Sequence, residues 1–172
     1  TGVEGSYEIW GVDNGRDRIG DDEPVEEVNI IKEGRHYGWP YCHGNGVTSP
    51  EYPDREDYCR NSTEFPAYSM QAHSAPLGLD FVPADFPDES LVNSVIIAFH
   101  GSWNRTIPTG YKVVSIDTTN PNAETINFIT GWLLESGEDW GRPVEVKFFA
   151  GDLYITDDKA GVVYKVTYEK DV

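Results

Sequence analysis

An all-β fold is the class that this 172-residue sequence predicts, on three observations. Short apolar segments recur with period-two alternation or as β-branched runs. No long stretch carries apolar residues at i, i+3, i+4 and i+7. Gly, Pro, Asn and Asp cluster between the apolar segments, as expected of short antiparallel strands. The first strand, at 7–12, closes on Asp13-Asn14-Gly15, and the second, at 27–31, carries Val28, Ile30 and Ile31. Residues 78–82 run into Pro83, and residues 94–99 form the apolar run Val95-Ile96-Ile97-Ala98-Phe99 before His100-Gly101. Further strands are predicted at 111–116, 126–132, 144–149, 153–156 and 162–168. A single helical turn is expected at 22–27.

A weak internal repeat underlies these strands. Leu153-Tyr154-Ile155-Thr156-Asp157-Asp158, a Gly, then Val162-Val163-Tyr164-Lys165-Val166 echoes Ile9-Trp10-Gly11-Val12-Asp13-Asn14, a polar insert, then Val28-Asn29-Ile30-Ile31. Val95 to His100 followed by Tyr111 to Ile116 repeats the scheme. Three copies of such a unit predict β-propeller blades, in which the residues closing the second strand of each unit converge on one channel mouth. Those residues are Asp13 and Asn14, His100 and Gly101, and Asp157 and Asp158. Leu79, Val95, Tyr111 and Ile126 head the strands of one full blade, with about three strands after it and two or three before. That is two and a half to three blades, whereas propellers close with about four to eight. The expectation is a C-terminal fragment, or a chain that closes against another chain. Thr1 at the start and Met70 as the only methionine agree with residues lost upstream.

Thirteen basic residues against 30 acidic ones, a net charge of −17, exclude a nucleic-acid binder working through a basic surface. Aromatic content of 13%, with five Trp and ten Tyr, excludes a solvating acidic tail. No apolar run approaches the roughly 18 residues of a membrane span. Cys42 and Cys59 lack zinc-site spacing; a disulfide, stabilising by roughly 3 kcal/mol, is the simplest reading and two buried thiols the alternative. With the sequons at Asn61 and Asn104 and the acidity, it points to an extracytoplasmic protein, periplasmic or secreted.

Four segments carry a more specific likeness: Asp13-Asn14-Gly15-Arg16-Asp17 with Gly20-Asp21-Asp22; Tyr37-Gly38-Trp39-Pro40-Tyr41-Cys42; His100-Gly101-Ser102-Trp103-Asn104-Arg105 with Gly110-Tyr111-Lys112-Val113; and Trp140-Gly141-Arg142-Pro143-Val144 leading to Thr156-Asp157-Asp158. In this order they resemble the C-terminal half of the glucose/sorbosone dehydrogenase family, the soluble pyrroloquinoline quinone (PQQ) dependent sugar dehydrogenases, with the closest likeness to the L-sorbosone dehydrogenase branch. The resemblance implies a six-bladed β-propeller, a sugar substrate, and PQQ and Ca²⁺ as cofactors. It implies that the backbone carbonyls of Gly15 and Arg16 face calcium, with a side-chain contact from Asn14. Arg16 stands where the glucose dehydrogenase branch has Pro, a change without effect only if the ligand is the carbonyl. Arg142 matches an arginine directed at the cofactor, and a guanidinium suits a tricarboxylate. His100 replaces a cofactor-binding Lys and His73 a Thr, and Arg105 is a further cation at the same mouth. The local alternatives are a plain Asn-Gly hairpin turn, a surface ion pair for Arg142, and packed histidines, the last applying most to His36 and His43.

The acidic run Asp21, Asp22, Glu23, Glu26 and Glu27 reads either as a second calcium site or as a solvated loop. Trp39, Trp103, Trp132 and Trp140 read mostly as packing aromatics, one of which can stack on a sugar or the quinone. The family's general base lies in its N-terminal half, which no segment here matches, so the catalytic residue is unassigned and the chain alone is expected to be inactive. Two other classes fit the same fold: a non-catalytic propeller scaffold closed by self-association, and a metal-dependent lactonase.

Overall fold

The computed structural model describes residues 7–168. Its elements are strands β1 (Ile9–Asp13), β2 (Glu26–Ile31), β3 (Cys42–His43) and β4 (Val47–Thr48), helix α1 (Glu56–Asn61), then strands β5 (Tyr68–Met70), β6 (Pro76–Phe81), β7 (Ser94–Phe99), β8 (Lys112–Asp117), β9 (Ile126–Ile129), β10 (Pro143–Phe149), β11 (Asp152–Asp157) and β12 (Val162–Val166). Every strand pairing is antiparallel. The strands make a three-stranded sheet β1-β2-β5, a four-stranded sheet β6-β7-β8-β9, a three-stranded sheet β10-β11-β12, and the small hairpin β3-β4.

The four-stranded sheet sits between the other two, and its sequence shows why. All six residues of β7 are buried, because the period-two alternation of a strand sends neighbours to opposite faces and both faces here are covered. Val95, Ile97 and Phe99, with Val114 and Ile116 of β8, pack against Val28, Tyr68 and Met70 of the first sheet. Ile96 and Ala98, with Val113 and Tyr111, pack against Val146, Leu153 and Ile155 of the last sheet and against Trp132.

The residues that head the predicted four-stranded unit lie in or beside β6 to β9. Several boundaries differ from expectation. Residues 22–27 form no helix: Pro24 lacks an amide donor, and Glu26 and Glu27 are drawn into β2 with both side chains buried. The one α-helix among the described residues is α1, a turn and a half opened by Pro53 and tied by the Cys42–Cys59 disulfide and a Glu56–Arg60 ion pair of 2.6 Å. It is too short to leave a periodic signal. Strands β3, β4 and β5, of two or three residues, escape period counting for the same reason. The predicted strand 126–132 stops at Ile129, before Gly131 at φ 122° turns the chain and lets Trp132 reach the core.

Candidate functional site

The ends of β7 and β11 meet directly, Nε2 of His100 lying 3.0 Å from Asp158, and the turn after β1 is tied to them through intermediate residues by a continuous run of hydrogen bonds. It starts at Glu26, the first residue of β2, whose side chain lies on the same face as Val28 and is only 1% exposed. One carboxylate oxygen accepts from the Gly15 amide at 2.5 Å and the other from the Ala75 amide at 3.1 Å. The Ala75 carbonyl accepts from the His100 amide at 2.9 Å, and the Ser74 carbonyl accepts from the Gly101 amide at 2.9 Å. The carbonyls of His100 and Gly101 in turn accept from Nε and Nη2 of Arg142 at 3.1 and 2.5 Å. Finally the Arg142 amide donates to Asp157 at 2.9 Å. A single chain of contacts thus fixes the Asn14-Gly15-Arg16 turn relative to Arg142 across all three large sheets.

Glycine is required where this run is tightest. A side chain on Gly15 would meet Pro24 at 2.6 Å, and Gly101 and Gly110 lie backbone to backbone, both at positive φ. His73 and Ala75 also take left-handed backbone, at φ 63° and 53°. For residues other than glycine such geometry costs of order 1 kcal/mol or more, and it persists where the surroundings enforce it. Here Glu26 holds Ala75, while Nε2 of the buried His73 donates to the Gly20 carbonyl at 2.7 Å.

The candidate cations divide cleanly. Nη1 of Arg16 turns out to Glu51 at 2.5 Å, Arg105 reaches Asp22 at 2.9 Å, and Nε2 of His100 lies 3.0 Å from Asp158. Arg142 has no carboxylate within 4 Å among the described residues; its guanidinium rests over the Tyr111 ring at 5.4 Å. Burial raises the proton affinity of Asp157, but the amides of Ala160 and Arg142 and the Tyr164 hydroxyl outweigh it and hold the group below the usual carboxylate range. Asp158 is held low foremost by its hydrogen bond with His100. Both therefore stay ionised and orient the groups beside them. His36 is structural, its Nδ1 accepting from the Gly38 amide at 3.0 Å.

The acidic run splits rather than converging. Asp21 accepts from the Thr106 amide at 3.2 Å, Asp22 pairs with Arg105, and Glu26 and Glu27 are buried on separate donors. Among the described residues no three His, Cys, Asp or Glu side chains are grouped to hold a metal. A calcium ion at the turn would rest on carbonyls of Gly15 and Arg16 and on the Asn14 amide, whose side chain is exposed and unbonded among the described residues. For an anionic cofactor the fit is sound. The Arg142 guanidinium is held by two carbonyls, and among the described residues the buried Ser74 hydroxyl and Arg105 Nε have no hydrogen-bond partner.

Glu26 is the residue that sequence reasoning placed wrongly, as one of an acidic run. The signal was its position opening an apolar strand in register with Val28. Burial pushes its carboxyl from the ordinary 4.5 up to about 7. The native state therefore holds a proton that the unfolded chain releases, and stability falls as pH rises from 4.5 to 7, by about 3 kcal/mol. Glu27, raised by burial as well, acts in the same sense. In calcium-free buffer the midpoint of thermal unfolding is expected to drop across this window, and Glu26→Gln, which cannot titrate, to flatten the slope.

Solved structures share this architecture. The chain superposes on the carbohydrate-active enzymes family AA12 protein of Trichoderma reesei with a TM-score of 0.73 and 25% identity, covering 93% of this chain and 49% of that one. It superposes equally, TM-score 0.73 at 22% identity, on the holo form of the pyranose dehydrogenase PQQ domain from Coprinopsis cinerea, covering 94% of this chain and 51% of that one. These likenesses define the class: an all-β fold shared with sugar dehydrogenase domains. Residues 44–169 match the TrAA12-like family, and the chain belongs to it. An uncharacterized protein of Borreliella burgdorferi is 37% identical over 172 residues, covering 96% of this chain and 45% of that protein. The pyrroloquinoline quinone-dependent pyranose dehydrogenase of Coprinopsis cinerea is 30% identical over 137 residues, covering 67% of this chain and 18% of that protein. The chain thus spans less than half the length of the curated relatives it matches. No helix among the described residues is long and apolar enough to cross a membrane.

Proposed function

We propose that this chain is the C-terminal part of a PQQ- and calcium-dependent sugar dehydrogenase, the three large sheets being two and a half to three blades of a six-bladed propeller. The observation that carries the reading is the hydrogen-bonded run from Gly15 through Glu26, Ala75 and His100 to Arg142. It preorganises a backbone turn suited to a hard cation and a guanidinium, held by carbonyls rather than by a carboxylate, suited to an anionic group, which is the pairing this cofactor needs. Gly15, Arg16 and Asn14 hold the cation; Arg142 binds a cofactor carboxylate; His100, His73 and Arg105 line the same mouth. When bound, the quinone supplies the hydride acceptor and calcium polarises it.

This chain's own residues orient the cofactor, and the acceptor for the sugar proton lies outside it. His36, His73 and His100 each have a ring nitrogen committed within the fold, and His43 opens onto the cleft beside the Asn14-Gly15-Arg16 turn. Strands β1 and β12 pair on one side only among the described residues. Strands from an N-terminal half, or from a second copy, complete the ring there. The Cys42–Cys59 bond supports an extracytoplasmic location, periplasmic or secreted. Supplied with PQQ, Ca²⁺, aldoses or sorbosone and a dye acceptor, the chain alone is expected to show no turnover. Robust dye reduction would contradict the need for residues beyond it.

A further inference from the structure

A cleft of about 350 Å³ opens between the Asp13-Asn14-Gly15-Arg16 turn and the Tyr37-Gly38-Trp39 segment. This volume is at the lower end for ligand pockets, roughly 300–1,000 Å³. Trp39 at its edge is 65% exposed. It is the one tryptophan of the five whose ring has neither an aromatic nor a cationic partner among the described residues. Trp10 stands edge-on to Phe81, Trp132 and Trp140 stack on each other, and Trp103 lies under Arg18.

The bare ring is rigidly presented. Gly38, at φ 108°, makes a turn in which its carbonyl accepts from the amides of Tyr41 and Cys42 at 2.9 and 3.0 Å, and a side chain at 38 would strike the Cys42 carbonyl. Cys42 is anchored by its disulfide, and the Tyr37 hydroxyl spans Lys32 and Ile30 of the neighbouring strand. An exposed indole held this firmly loses little freedom when it is covered.

Facing it are polar groups with spare capacity. The side chain of Asp13 has no partner among the described residues and lines the cleft. His43 lies beside it, lining the same cleft. Glu27 accepts one hydrogen bond on each oxygen and keeps further lone pairs. The charge of the one cation at the rim, Arg16, is met by Glu51 at 2.5 Å, so the cleft is net acidic and disfavours anions, the quinone included.

We infer that this cleft is a binding subsite for one neutral sugar ring, stacked by its C–H face on Trp39 and hydrogen-bonded through its hydroxyls to Asp13, Glu27 and His43. An apolar plate opposite planar carboxylate and imidazole groups matches the two-faced chemistry of a pyranose. The inference does not rest on the quinone reading, because the cleft binds without redox chemistry.

Calorimetric titration of the chain with methyl β-D-glucopyranoside, methyl α-D-mannopyranoside and cellobiose tests it, with glucuronate and choline as charged probes. At least one neutral saccharide is expected to saturate with a dissociation constant of roughly millimolar order. Trp39→Ala weakens it at least tenfold, Trp39→Phe largely retains it, and Trp103→Ala leaves it unchanged. Trp39 is exposed, so the unfolding midpoint of the alanine variant stays near that of the parent chain. The inference is overturned if no neutral saccharide saturates, if Trp39→Ala binds as well as the parent, or if glucuronate or choline binds more tightly.

Discussion

Gly110→Ala is expected to cost more than about 3 kcal/mol, a large share of the roughly 5–15 kcal/mol that holds a domain folded. Two effects add. At φ 84° the backbone is left-handed, and a methyl group there would lie 2.7 Å from the Cα of Gly101 and 2.7 Å from the Ser74 carbonyl. Neither neighbour is a flexible side-chain end that can swing aside. Both belong to the strand ends that carry Arg142, so relief of the clash would pull Gly101 away from the guanidinium. Gly131→Ala and Gly151→Ala are the controls: each has positive φ but open space around it. They are expected to cost only about 1 kcal/mol. Urea unfolding of the three variants separates crowding from backbone preference.

Arg142→Ala is expected to weaken PQQ binding at least 100-fold, the loss of about two charge-assisted hydrogen bonds. It also removes the donors to the His100 and Gly101 carbonyls, so a fall in stability of about 1–3 kcal/mol accompanies it. Arg142→Lys discriminates between the two roles. An ammonium can replace one carbonyl contact but not bridge two carbonyls while presenting a further N–H to a ligand. The lysine variant is therefore expected to recover much of the stability and little of the affinity. Recovery of both would mean that charge alone suffices at this position.

Much of the fold was legible because it rests on strands long enough to show a period. The apolar runs of β7 and β8 and the hairpin of β11 and β12 are unmistakable in the sequence, and the polar residues that close β1, β7 and β11 do lie toward one end. What escaped was short or local. Strands β3 to β5 and helix α1 have too few residues for periodicity; the disulfide joins β3 to α1, and β5 is placed by its pairing with β2. The site was legible in part. Arg142 stands out as a cation in an acidic chain, His100 as a polar residue closing an apolar strand, and Asn14-Gly15 as a turn. The bridging role of Glu26 did not, because composition cannot distinguish a carboxylate in a solvated run from one whose strand register turns it inward onto two amides. Nor could sequence show that Arg16 points away, to Glu51, leaving only its backbone for the turn.

The claim that this chain presents one half of a quinone site through Arg142 is tested most directly by titrating PQQ into it by calorimetry, with Ca²⁺ and again with EDTA. The expected result is saturable binding of one equivalent, weakened when calcium is removed and lost in Arg142→Ala. Absence of saturation, or equal affinity with EDTA and in Arg142→Ala, would contradict it.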